Sequence, residues 1–165
     1  VGYSPAYGAA MMAWYRFTGI SGLSGATINV AYISLKGEED GAGAPKTKIS
    51  AVDATAPAVP ANEAAAQGWT LTTNKVDWDA TLVDESYTNS PSITSIIGEL
   101  ATSYDPSVIE IVHCDDGSAS GENLMYVRTF EFDRKSSSAK LHIEYTAGGG
   151  TPAVTPAFLQ QVIWW

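Results

Sequence analysis

The groups most able to do chemistry in this chain are carboxylates gathered in turns. Asp115-Asp116-Gly117-Ser118 is a loop of hard oxygen ligands, and Glu38-Glu39-Asp40-Gly41 is another. Calcium takes about six to eight oxygens from carboxylates and carbonyls. Asp115, Asp116, Glu38, Glu39 and Asp40 are therefore the candidate ligands of a structural calcium ion. The run DDGSASGE lacks the spaced acids of an EF-hand loop, and an ordinary polar turn is the favoured reading.

A second use of carboxylates is glycoside hydrolysis, which needs two of them across a cleft. Asp77 and Asp79 fall on one face of a strand-like run with Trp78 on the other, which is the pattern of a solvated strand face. His113 and His142 lie on different predicted strands, and no GxSxG, GxGxxG or phosphate-loop motif accompanies them. No residue is assigned a catalytic role, and a non-enzymatic protein is expected. Cys114 is the single cysteine. It excludes an intrachain disulfide and a thiolate cluster, and reads as a small hydrophobe at a strand end.

Sugars are recognised by exposed rings beside hydrogen-bonding groups. Trp14 and Trp69, with Tyr87 and Tyr104 in loops, are the glycan-binding candidates. Core packing is the competing and favoured reading for such rings. Trp78 is assigned to the core because it shares a face with Val76.

The elements that must position these groups are mostly strands. Between Ser107 and Thr146 the runs VIEIVH, LMYVRTFEF and KLHIEYT are of β type, with Leu141, Ile143 and Tyr145 alternating against His142 and Glu144. No helical pattern separates them, so an antiparallel meander is expected. Earlier strands are read at Ala10–Thr18, Ala26–Lys36, Lys46–Asp53 and Thr70–Asp79. Asn62 is placed to cap one helical turn ending at Gly68. Ser90–Leu100 differs: Ile93, Ile96, Ile97 and Leu100 form a helical stripe, with Ser90 as N-cap and Pro91 at the first helical position.

The chain has 165 residues, 45% of them apolar, and a formal net charge of −9. This is one domain, or one domain plus a tail, with enough apolar material for a core. The nine basic residues are spread thinly, so no nucleic-acid surface is expected. No apolar run reaches the length of a membrane span, and no membrane insertion is expected. The chain begins at Val1 with no visible signal peptide, which reads as a processed or partial chain.

RF at Arg16-Phe17, GATINVAYISLKG at Gly25–Gly37, VDWD at Val76–Asp79, SPSITSIIGEL at Ser90–Leu100 and AKLHIEYT at Ala139–Thr146 occur in that order. The ordered set resembles a family of β-sandwich modules found in phage virion proteins and in large secreted bacterial proteins. Those modules are similar to the jelly-roll domains of carbohydrate-binding modules. The resemblance covers roughly Met11 to Thr146. It implies an all-β jelly-roll sandwich of about seven or eight strands with one short helix, and it carries no catalytic motif. It implies an accessory or structural role at a virion surface or in an extracellular setting. The family usually has another strand before the VGY-like segment; the sequence here begins at Val1.

The expected organisation is a sandwich over 1–147 and a Gly/Pro hinge with an apolar tail over 148–165. Phe158, Leu159, Val162, Ile163, Trp164 and Trp165 crowd large apolar side chains into that tail. Such a cluster marks an interaction site. It is expected to dock on another copy of the chain or on a neighbouring structural protein. Folding back onto its own sandwich is the alternative. The expected function is a non-enzymatic structural or decoration module of a larger assembly, with a phage virion as the favoured setting. The alternative is a glycan-binding module of a secreted or cell-surface protein, with surface glycans as partners.

Overall fold

The computed structural model describes residues 1–6, 9–38, 45–119, 121–128, 136–148 and 152–164, with Ala9, Ala10, Glu63 and 152–164 described by their backbone. Ten strands and two helices follow in chain order. They are β1 (Gly2–Ser4), β2 (Ala9–Thr18), β3 (Thr27–Lys36), β4 (Thr47–Ala51), α1 (Glu63–Gln67), β5 (Val76–Asp77), β6 (Tyr87–Asn89), α2 (Thr94–Ser103), β7 (Val108–Asp115), β8 (Asn123–Leu124), β9 (Lys140–Thr146) and β10 (Pro152–Trp164). Antiparallel ladders join them in the order β5-β4-β7-β2-β10-β9-β3-β6, with β1 paired to β2 and β8. The protein is an all-β sandwich of jelly-roll-like type.

Period-2 alternation explains where the core lies. Ala13, Tyr15 and Phe17 of β2, Ile109 and Ile111 of β7, Ile33 and Leu35 of β3, and Leu141 and Ile143 of β9 are buried in one cluster. Ile96, Ile97 and Leu100 of α2 join the same cluster. Helix α2 packs on both β3 and β4. Those strands are five steps apart in the ladder, about 24 Å if the sheet were flat. A helix about 15 Å long reaches both only because the sheet curls around one core. Gly37 sits where β3 ends and its backbone bridges to Asp84 and Val127. A Cβ there would lie 2.4 Å from the Val83 carbonyl oxygen, so only glycine fits.

Several expectations are corrected by this topology. The runs between Ser107 and Thr146 do not form a meander. β7 pairs with β2 and β4, while β9 pairs with β10 and β3. β2 and β10 lie between them, because non-local partners bury the apolar faces that a local hairpin would leave half covered. Of LMYVRTFEF, β8 reaches Leu124 and Val127 makes one bridge; residues 129–135 lie outside the described residues. The run Thr70–Asp79 contributes only the short β5 and a bridge from Leu71 to Val52.

The helical stripe is buried as expected, with Ile93, Ile96, Ile97 and Leu100 all fully enclosed. The helix itself starts at Thr94 and runs to Ser103. Ser90 is not its cap. The Ser90 hydroxyl accepts from the Ile33 amide at 3.1 Å, and the Ser90 amide donates to the Ile33 carbonyl at 2.8 Å. Pro91 disfavours helical geometry at Ser90, so this stretch latches along β3 before the helix begins. Asn62 does cap α1, its Oδ1 accepting from the Ala65 amide at 3.0 Å.

The C-terminal segment runs back into its own sheet. β10 pairs with β9 from Pro152 to Phe158 and with β2 from Phe158 to Trp164. It thus bridges two strands, each half laddered on one side. Pro152 and Pro156 both fall in the half that pairs with β9 alone. Proline lacks the N–H that a two-sided ladder needs, and this is where a strand tolerates it. The tail expected to dock on another subunit is the strand that joins β9 to β2 within this chain. Trp165 lies outside the described residues.

Candidate functional site

Asp115 and Asp116 stand at the end of β7, where their carboxylates fold the turn that follows. Asp115 Oδ2 accepts from the Gly117 amide at 2.9 Å, and Asp116 Oδ1 accepts from the Ser118 amide and hydroxyl, each at 2.7 Å. The Ser118 contacts, with smaller help from Lys48 and Lys46, hold the Asp116 carboxyl below the usual carboxylate range. Glu38 lies in the other acidic loop, and Glu39 and Asp40 fall outside the described residues. Among the described residues no three His, Cys, Asp or Glu side chains converge on a metal position.

Two further acids, Asp79 and Glu110, are tied to neighbours. Asp79 accepts from Lys46 Nζ at 2.5 Å and from the Thr47 amide at 3.2 Å. Glu110, fully buried, takes the Arg16 guanidinium, which also donates to the Pro57 carbonyl at 2.7 Å. Burial pushes the Glu110 carboxyl upward and Arg16 opposes the shift. His113 is enclosed as well. Its Nε2 lies 2.8 Å from Thr47 Oγ1 and its ring stacks on Trp78.

The glycan candidates divide. Trp14 is fully buried, which removes it as a glycan candidate and agrees with the favoured core reading. It stands on the face of β2 turned away from the main core and meets the half-buried Trp69 edge-on, centroids 5.7 Å apart. Val52, Val112, Met12, Ala54 and Leu71 complete this second apolar cluster. The Ala- and Pro-rich excursion between β4 and β5 covers the strand here, so the ring has a lid of the chain's own making. Tyr104 follows α2, half-buried, its hydroxyl hydrogen-bonded to Asp53 and its ionisation pushed up by that charge.

Tyr87 belongs to a different neighbourhood. The outer faces of β6, β3 and β9 lie side by side, with Tyr32 opposite His142, Ser34 opposite Lys140 and Asn89 opposite Ser34. Tyr32 and His142 stack with centroids 4.7 Å apart. His142 Nε2 lies 2.9 Å from Glu144 Oε1. Lys140 Nζ rests 3.8 Å above the Tyr87 ring. The Tyr87 hydroxyl donates to the Ser136 and Ser138 carbonyls at 2.8 and 3.0 Å. Tyr32, Tyr87, His142 and Glu144 are half-buried, and Lys140 and Asn89 are exposed. This is the one candidate binding surface that combines rings with solvent-facing polar groups among the described residues.

Alternation along β9 already places His142 and Glu144 off the core face. The signal that was missing is the β3–β9 pairing, which sets these faces next to each other across a large sequence separation. The fold and the surface together define a class, an all-β sandwich module with an aromatic and polar outer face. Comparisons with protein-family models, curated proteins and solved structures return no match.

Proposed function

We propose that the protein is a non-enzymatic structural or decoration module of a larger assembly, with a phage virion as the favoured setting. What supports this reading most is the use made of the reactive side chains. His113 stacks inside the core, Glu110 neutralises Arg16, Asp79 anchors Lys46 and the start of β4, and Asp115 and Asp116 fold their own turn. Each is spent on holding the sandwich. The ordered sequence blocks that resemble virion and secreted β-sandwich modules point the same way. Antibodies against the module, applied to purified phage particles in the electron microscope, test it. Regular labelling of a shell, tail or fibre is expected, and bare particles would count against the reading.

A second reading, a glycan-binding module, is favoured by one observation. The outer face of β6, β3 and β9 carries the Tyr87, Tyr32 and His142 rings among hydrogen-bonding groups. The two readings are compatible, since a virion module can also bind a surface sugar.

A further inference from the structure

We propose that the outer face of β6, β3 and β9 binds a glycan bearing uronate carboxylates; this rests on the glycan-binding reading and names the class of sugar. The chain carries a formal net charge of −9 with nine basic residues. Lys140 is exposed on this face, pairs with no carboxylate among the described residues, and rests instead on the Tyr87 ring. A cation over an aromatic floor keeps its outward N–H donors available. His142 stands two residues along β9 on the same face and is held by Tyr32 on one side and Glu144 on the other.

The surroundings select among partners. Tracking a nucleic-acid backbone requires a row of lysines and arginines, which this face lacks. A protein interface needs an apolar centre, and among the described side chains of β6, β3 and β9 the one exposed large hydrophobic is Val30. What the face offers is ring surface beside Lys140, Asn89 and Glu144. That set can take a carboxylate, an amide or hydroxyl partner, and further hydroxyls, as a uronic acid residue presents them. The uronate carboxylate accepts from Lys140 Nζ, the hydroxyls exchange hydrogen bonds with Asn89 and Glu144, and the C–H face of the sugar lies against the exposed part of the Tyr32 ring.

The test is a titration of the full chain, followed by amide NMR, with oligogalacturonate and oligomannuronate, each beside its methyl ester. The acid forms of one or both are expected to shift signals at Tyr32, Tyr87, Lys140 and His142. Esterification, or Lys140→Gln, is expected to weaken binding by about tenfold or more, the usual weight of a charge-assisted hydrogen bond. Lys140 is exposed, so the variant's melting curve should match the wild type and exclude a folding defect. If esters bind as well as acids, the uronate inference fails while the glycan-binding reading stands. If neither acid nor ester perturbs the face, both fail.

Discussion

The His113 imidazole lies flat against the Trp78 indole, with ring centroids 5.3 Å apart and planes 18° from parallel. Thr47 ties the pair together. Its hydroxyl lies 2.8 Å from His113 Nε2 and donates to the Trp78 carbonyl at 2.5 Å. One buried hydroxyl therefore links β4, β7 and the segment after β5. Burial disfavours the charged ring and pushes the His113 pKa down from 6.5 to about 3.

The pH dependence follows from that direction. The folded pKa is depressed below the unfolded one, so the neutral ring stabilises the fold fully above about pH 6.5. That contribution is lost as pH falls towards 3. The melting temperature should decline between pH 6.5 and 5, above the range where most carboxylates titrate. His113→Gln should melt lower at neutral pH and show a flatter profile over the same range. Calorimetry of both chains across this interval checks it, and equal slopes would remove His113 as the cause.

Ile97 lies on α2 with no exposed surface. Ile97→Ala should cost about 2–5 kcal/mol, the usual range for emptying a packed aliphatic site. Urea unfolding measures it. A loss near zero would mean that α2 does not seal the core.

Arg16 and Glu110 form a pair whose carboxylate is fully enclosed. Removing one partner leaves the other charge buried and unpaired, which costs about 3–5 kcal/mol. Arg16→Ala should therefore destabilise strongly, and Arg16→Ala combined with Glu110→Gln should recover part of the loss. A double-mutant cycle by chemical denaturation reads the coupling, and strictly additive losses would show that the pair is not coupled.

β10 supplies the ladder between β9 and β2. A chain ending at Gly148 leaves both strands with an unpaired side, and such edges recruit other strands. It should melt at lower temperature and associate, as seen by light scattering behind a sizing column. A synthetic peptide covering 152–165 should restore the full-length melting curve. A truncated chain that stays monomeric with unchanged stability would show that β10 adds nothing to the sandwich.

Much of the fold was legible because burial in strands leaves a local mark. The alternation of Leu141, Ile143 and Tyr145 marked β9, and the spacing of Ile93, Ile96, Ile97 and Leu100 marked the buried stripe of α2. What stayed hidden was pairing. Nothing local states that Phe17 lies opposite Ile109 or that His142 lies opposite Tyr32, because those choices are made by faces far apart in the chain. A bulge in β3 between Ile28 and Val30 shifts the register, so Ile28 packs against the core although simple alternation puts it with Tyr32. What covers Trp14 stayed hidden for a related reason. Its apolar partners Trp69 and Leu71 arrive on an excursion between β4 and β5 that has no periodicity to announce it.

The structural-module reading turns on whether the chain is a fixed part of a particle. Quantitative mass spectrometry of phage particles purified from the producing host measures this directly. The account predicts a constant molar ratio between this chain and the major shell or tail protein, unchanged by a high-salt wash. A chain that is absent from the particles, or that washes away with a ratio varying between preparations, would contradict it.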